Sequence, residues 1–179
     1  MRRATLANPI LPMSQLPLRE PGVRPIKETS IDMDIFEPLN PDYQEHVRLG
    51  FARQRVMETI GARLVRIEPG QVEIELDYRE DLTQQHGYLH AGIITAIVDS
   101  ACGFAAHTLM PPGSGVLTVE YKVNFTSPAR GDRFLARGRV IKPGRTLTVC
   151  VGEALATDGA EQRIVAVIQT TMMRVSDFT

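Results

Sequence analysis

The sequence has no tryptophan, two cysteines and few aromatic residues, which make up 6% of its 179 positions. The core must therefore be built mainly from aliphatic side chains. Cys102 and Cys150 are too few for a disulfide framework, and they form no C-x-x-C spacing typical of structural zinc sites. We expect no metal and a reducing, cytoplasmic compartment.

The sequence also lacks an excess of charge of one sign, because 20 Lys+Arg oppose 21 Asp+Glu. A nucleic-acid-binding surface needs a basic excess that releases counterions, so no nucleic-acid partner is expected. Residues 91–110 form an apolar run long enough to consider as a membrane span. Polar residues such as Thr95 and His107 interrupt it and no Lys/Arg bias flanks it, so we expect no membrane partner.

Proline is concentrated at the start of the chain, where no apolar period of 2 or 3.6 is found. We predict a poorly ordered, proline-rich arm over residues 1–38, followed by one domain over residues 39–179. Asn40 and Pro41 suit the start of a helix. The apolar spacing that follows predicts one helix over residues 41–60, ending near Gly61.

Alternating apolar and polar residues predict a series of strands joined by short turns that contain glycine or proline. These strands are expected over residues 62–68, 71–78, 116–126, 133–141, 146–156 and 162–173. The run 91–110 is instead apolar nearly all round, as is typical of a helix in the centre of a domain. The sequence therefore predicts an α+β fold in which a long antiparallel sheet wraps around one buried helix.

Asp99 is the one formal charge within the predicted central helix. An unpaired buried carboxylate costs several kcal/mol, so Asp99 is either satisfied by its neighbours or functional. Gly87 and Gly92 precede the helix and let the backbone approach a ligand, while amides at a helix start can form half of an oxyanion hole. Asp99 lies about two turns further in, so a site using both groups needs a substrate lying along the helix or a second subunit. His86 is interpreted as an ordinary loop histidine.

Residues 87–92 read GYLHAG and, with Asp99, resemble the signature of the PaaI-type hotdog-fold acyl-CoA thioesterases. That signature is G-x-x-H-G-G, a short apolar helix and an acid. Residues 118–129 and 142–146 are similar to the central strand and following hairpin of the family. The resemblance covers residues 45–174 and implies a hotdog fold, with coenzyme A as part of the substrate and no separate cofactor.

The resemblance also implies roles for individual residues. Asp99 matches the catalytic acid, which acts as a nucleophile or as a general base for water. The amide of Ala91, which replaces the usual glycine, matches the oxyanion donor, and His90 supports the thioester end of the site. Gln84 matches an Asn/Gln position that orients the carbonyl group or water. Thr118 matches a Ser/Thr position that faces the acid across a dimer interface.

Several residues are candidates for substrate binding. Gly87 and Gly92 are the first and last residues of the GYLHAG motif. Arg145, Arg130 and Arg163 are candidates for holding the phosphates of coenzyme A, because guanidinium groups bind phosphate in a bidentate manner.

The leading functional hypothesis is hydrolysis of an acyl-CoA, or a related thioester, to a free acid and a thiol. One alternative is a hotdog regulator that binds acyl-CoA without turnover, which would have no use for Asp99. Another is a hydratase or dehydratase, which needs a histidine and an acid that face one another. We expect a homo-oligomer, either a dimer or a tetramer, because a lone sheet would leave its edges exposed.

Overall fold

The computed structural model describes residues 36–176. Its helices are α1 (Tyr43–Arg53), α2 (Arg55–Ile60) and α3 (Ala91–His107), with a short 3-10 helix at Glu80–Leu82. Its strands are β1 (Arg63–Glu68), β2 (Gln71–Asp77), β3 (Ser114–Phe125), β4 (Arg133–Lys142), β5 (Leu147–Asp158) and β6 (Glu161–Ser176). The predicted arm over residues 1–38 lies outside the described residues except for 36–38, of which Phe36 packs against the core.

The strands form one six-stranded antiparallel sheet in the order β1-β2-β4-β5-β6-β3. Helix α3 packs mainly on β2, β4 and β5. The predicted sheet and central helix are confirmed, and the strand limits differ from the prediction by a few residues. Gly70 and Gly159, in two of the predicted turns, have positive φ angles of 74° and 60°.

Helix α3 lies unusually close to the sheet, because two glycines face it. Gly138 of β4 and Gly152 of β5 are paired across the ladder. A Cβ atom at Gly138 would overlap the backbone of Ala101, and one at Gly152 would lie 2.8 Å from Sγ of Cys102. Fully buried side chains of α3 fill the space beside the contact between the helix and these glycines. The burial of each side chain contributes roughly 1.5–3 kcal/mol to the stability of the fold. These side chains include Ile94, Ile97 and Val98.

The first predicted helix is wrong in two details. Asp42, not Asn40, occupies the N-cap position; the side chain of Asn40 instead accepts a hydrogen bond from the Asp42 N–H at 3.0 Å. The helix is also divided at Gln54, whose φ of −77° and ψ of 89° are not helical. The predicted end at Gly61 is confirmed by its left-handed φ of 78°. Within residues 36–176, no helix is long and apolar enough to cross a membrane.

The contact at Gly138 predicts a stability change. Replacing Gly138 with alanine forces α3 away from β4, and we expect a loss of about 3 kcal/mol. For a chain of this size the melting temperature then falls by about 6–12 °C. The matched control is Gly103→Ala in α3, where the new methyl group would meet Cε of Met172 at an ordinary 3.9 Å. An unchanged melting temperature for Gly138→Ala in thermal denaturation would contradict the close contact.

Candidate active site

Asp99 lies on α3, where it is half-buried and faces β3. Oγ1 of Thr118 donates to the Asp99 carboxylate, with distances of 3.0 Å to Oδ1 and 3.2 Å to Oδ2. The two residues belong to the same chain. The expectation that Thr118 faces the acid across a dimer interface is therefore wrong, because β3 pairs with β6 beside α3 and brings Thr118 to Asp99 directly.

A β-bulge in β3 gives Thr118 this orientation. Thr118 is paired with the buried Met172, but the register shifts before Glu120, which is paired with Thr171. Residues that are directly paired share one face of the sheet, so Thr118 points to the α3 side while Glu120 points away. Simple alternation would have placed both on the same face.

A small cavity of about 60 Å³ lies next to Asp99. Its walls combine hydrogen-bonding side chains with apolar ones: Gln54, Asp99, Ser100, Gly103, Phe104, Val116, Thr118 and Met172. We call it the Asp99 cavity. Apart from Asp99 and Thr118, the sequence analysis singled out none of these residues. Gly103 could have been found from its i,i+4 spacing to Asp99 on the helix, whereas Ser100 and Gln54 carry no such signal.

The electrostatic state of Asp99 is set by two opposing effects. Burial raises the pKa of the carboxyl above its ordinary value, because the charged form loses hydration. The hydrogen bond from Thr118 acts in the opposite direction, since it stabilises the carboxylate, but it is the smaller effect. The outcome is a more basic carboxylate, which suits a group that accepts a proton from water.

The start of α3 presents one unpaired amide. His90 is the N-cap residue, and its Nδ1 accepts a hydrogen bond from the Gly92 N–H at 2.9 Å. The amides of Ile93 and Ile94 donate to the carbonyl of His90. Within residues 36–176, the Ala91 N–H has no hydrogen-bond partner, and Ala91 is exposed. This amide is therefore available to a ligand oxygen, with the positive end of the helix dipole behind it.

His90 and Gly92 together explain the local sequence. A Cβ atom at Gly92 would lie 3.1 Å from Nδ1 of His90, so glycine makes room for the capping ring. His90 therefore acts here as a helix cap. Gly87, with a φ of 78°, forms the preceding turn, and its carbonyl accepts from the hydroxyl of Tyr78 at 3.2 Å.

Gln84 is held within that same turn. Its Oε1 accepts a hydrogen bond from the His86 N–H, and its backbone N–H donates to Tyr88 at 2.9 Å. Among the hydrogen bonds of the described residues, none joins Gln84 to Asp99. Within one chain, Gln84 therefore belongs to the loop before α3 and not to the Asp99 cavity.

The Ala91 amide and Asp99 are separated along α3. Eight residues of helix span about 12 Å. In a thioester that is about to react, the carbonyl oxygen lies within about 3–3.5 Å of the oxyanion donor, and the carbonyl carbon lies within about the same distance of the attacking atom. One chain alone therefore does not bring these two groups onto one thioester carbonyl.

The three candidate arginines lie in two different places. Arg130 and Gly87 line a polar cavity of about 460 Å³. There Arg130 pairs with Asp158 at 3.9 Å, and Nη2 of Arg163 donates to the Arg130 carbonyl at 2.9 Å.

Arg145 lines a separate cavity of about 310 Å³ beside the end of α3, together with Arg174. In the described part of the chain, neither Arg145 nor Arg174 has an acidic partner. The sequence analysis missed Arg174.

The chain is similar to known proteins of one family. The thioesterase superfamily profile matches residues 86–162. A solved thioesterase family protein from Silicibacter pomeroyi is 51% identical, covers 75% of this chain and 99% of its own, and has a TM-score of 0.74.

Two further proteins are less similar to this chain. The 1,4-dihydroxy-2-naphthoyl-CoA hydrolase of Listeria monocytogenes is 27% identical over 107 residues, which are 60% of this chain and 85% of the relative. The E. coli PaaI protein shares the fold, with 16% identity, a TM-score of 0.69, and coverage of 77% of this chain and 96% of that protein. The hotdog fold expected from the sequence is confirmed.

The hydrogen bond from Thr118 predicts a measurable change at Asp99. Replacing Thr118 with valine removes a bond that lowers the pKa, so the pKa of Asp99 should rise further. NMR titration of the Asp99 carboxyl carbon measures this directly. The control is Thr59→Val, since Thr59 is exposed and its hydroxyl donates to the Arg55 carbonyl within α2. An unchanged Asp99 titration in Thr118→Val would contradict the assigned contact.

Proposed function

The chain belongs to the thioesterase superfamily and is a thioester hydrolase, and from this premise we propose that it hydrolyses an acyl-CoA to a free acid and coenzyme A. The observation that carries the proposal is the half-buried Asp99 carboxylate beside a cavity, held by Thr118. The CoA hydrolase from Listeria monocytogenes among its relatives supports the choice of substrate class.

In the proposed reaction, the Ala91 N–H polarises the thioester carbonyl and stabilises the oxyanion that forms. Asp99 attacks the carbonyl carbon or removes a proton from an attacking water molecule. The carbon–sulfur bond then breaks and the thiolate leaves with a proton. His90 supports this arrangement by capping the helix start, and Gln84 shapes the turn that precedes it.

We further propose that the working site is shared between two copies of the chain, because Ala91 and Asp99 are about 12 Å apart in one chain. Strand β3 is one of the two edge strands of the sheet and offers a surface for pairing. Four of its large apolar side chains are 47–53% exposed: Leu117, Val119, Tyr121 and Phe125. An exposed apolar edge strand favours pairing with another chain. A two-fold pairing of β3 strands would set two α3 helices side by side, so that Asp99 of one copy could meet the Ala91 amide of the other.

For the phosphates of coenzyme A, the structure favours Arg145 over Arg130 and Arg163. Arg145 and Arg174 share a cavity and have no acidic partner among the described residues, whereas Arg130 is paired with Asp158. A phosphate gains more from two uncompensated guanidinium groups than from one that is already paired. Gly87 and Gly92 would act through the shape of the loop that approaches the thioester.

The two alternatives have less support. A hydratase needs a histidine that faces the acid, but Nδ1 of His90 is engaged by Gly92 two turns from Asp99. A non-catalytic binder would not need a carboxylate whose pKa is raised beside a cavity.

Asp99→Asn tests the proposed mechanism. Thiol release should fall roughly 10²–10⁴-fold, the range for losing a general acid–base group. Because the pKa of Asp99 is raised in the folded state, ionisation of Asp99 opposes folding above its ordinary pKa. The melting temperature of Asp99→Asn should therefore equal or exceed that of the wild type at neutral pH, and the difference should vanish in acid. Normal thiol release with a large fall in melting temperature would remove Asp99 from the mechanism.

The shared site predicts an oligomer. Light scattering should return a mass of twice 19.8 kDa or a further multiple. Replacing the exposed Tyr121 of β3 with lysine should weaken assembly and lower thiol release together, because the site is completed by the second copy. An active, stable monomer would contradict the shared site.

A further inference from the structure

Gln54 is a polar residue of the Asp99 cavity that has no assigned role. It occupies the joint between α1 and α2, where the backbone leaves the helical conformation. Its Oε1 accepts a hydrogen bond from Oγ of Ser100 at 3.2 Å, and Ser100 directly follows Asp99 on α3. In the part of the chain that the structure describes, the amide nitrogen Nε2 of Gln54 has no partner. The Ser100 contact therefore fixes the amide and leaves its N–H groups for an occupant of the cavity.

The size and chemistry of the cavity favour water as that occupant. A volume of about 60 Å³ admits a few water molecules. Ordered water in a protein needs two to four polar partners. The cavity offers the Asp99 carboxylate, the Thr118 hydroxyl and the Gln54 amide, while Val116 and Met172 form an apolar wall.

We propose that the Asp99 cavity holds the water that hydrolyses the thioester, and that Gln54 binds this water together with Asp99. The inference rests on the proposed acyl-CoA hydrolysis and specifies its route. Ser100 acts as a positioning residue through its bond to Gln54, whereas Gln54 itself touches the reacting water.

The step balances without another reactant. The water molecule accepts a hydrogen bond from Nε2–H of Gln54 and donates one to Asp99. Its free lone pair forms the new bond to the thioester carbon, and its proton passes to the Asp99 carboxylate. The carbon–sulfur bond breaks, and the thiolate takes the proton from Asp99, which restores the carboxylate. The products are a carboxylic acid and a thiol.

Two substitutions at Gln54 test this role. Gln54→Leu removes the donor and should lower kcat roughly 10–100-fold, the range for misplacing a reacting group, with KM within about twofold of the wild type. Gln54→Glu keeps an acceptor for Ser100 but places a second carboxylate near Asp99. Like charges raise the pKa of a carboxyl, so the acid limb of the kcat–pH profile should move to higher pH. Cys102, the titratable neighbour within α3, stays neutral because burial raises the pKa of its thiol.

The matched control is Gln44→Leu in α1, whose side chain is exposed and donates to the Ile67 carbonyl at 3.3 Å. This variant should keep the kcat and pH profile of the wild type. Ser100→Ala should lower kcat less than Gln54→Leu does, because the amide remains but is no longer held. Melting temperatures of all variants report any loss of folding.

The outcomes separate this inference from the proposed function. Wild-type kcat in Gln54→Leu, or an unmoved pH limb in Gln54→Glu, would overturn the role of Gln54 while leaving acyl-CoA hydrolysis intact. A change in KM that depends on acyl length would assign Gln54 to acyl binding and also overturn it. If the wild-type protein releases no thiol from any acyl-CoA, the proposed function fails and the inference fails with it.

Discussion

The close approach of α3 to the sheet is the constraint on which the site depends. Gly138 and Gly152 remove two side chains from the strands below Ala101 and Cys102, so the helix settles onto β4 and β5. Asp99 lies just before this contact in the helix. Asp99 therefore lies on a helix whose backbone is packed tightly against the sheet, and not on a loop. Catalytic groups gain from this kind of rigid support, since small displacements of a reacting group are costly in rate.

The neighbours of Asp99 follow from the same arrangement. Helix α3 packs on the sheet and also contacts the edge strand β3, where the bulge between Thr118 and Glu120 turns the Thr118 hydroxyl toward the Asp99 carboxylate. On the opposite side, the break at Gln54 brings an amide to Ser100. The result is a carboxylate with a raised pKa, one hydrogen bond and a small polar cavity. The raised pKa and the polar cavity suit proton transfer from water, while the hydrogen bond from Thr118 orients the carboxylate.

Features of the fold that produce a long hydrophobic period could be predicted from the sequence, and features that depend on one residue could not. Strand alternation and the apolar run after residue 90 are signals summed over many residues, and they predicted the sheet and the central helix, whereas the roles of the residues at the helix start came from the resemblance to a known family. The bulge in β3 shifts the register by a single residue, and the alternation of apolar and polar residues in this strand does not reveal it. The break at Gln54 has no proline or glycine to mark it and depends on tertiary contacts with α3. Arg174 lies within a regular strand, and its proximity to Arg145 arises only from the folded hairpin.

The central claim is that one working site combines Asp99 of one copy with the Ala91 amide of another. The direct measurement mixes two inactive variants, Asp99→Asn and Ala91→Pro. Ala91 is the first helical residue after the cap, where proline is tolerated but removes the N–H group. After unfolding and refolding at equal concentrations, random two-fold assembly should restore about a quarter of the wild-type thiol release, since mixed pairs contain one intact site of two. No recovery, in a sample where differently tagged chains are shown to have mixed, would mean that both groups act within a single chain.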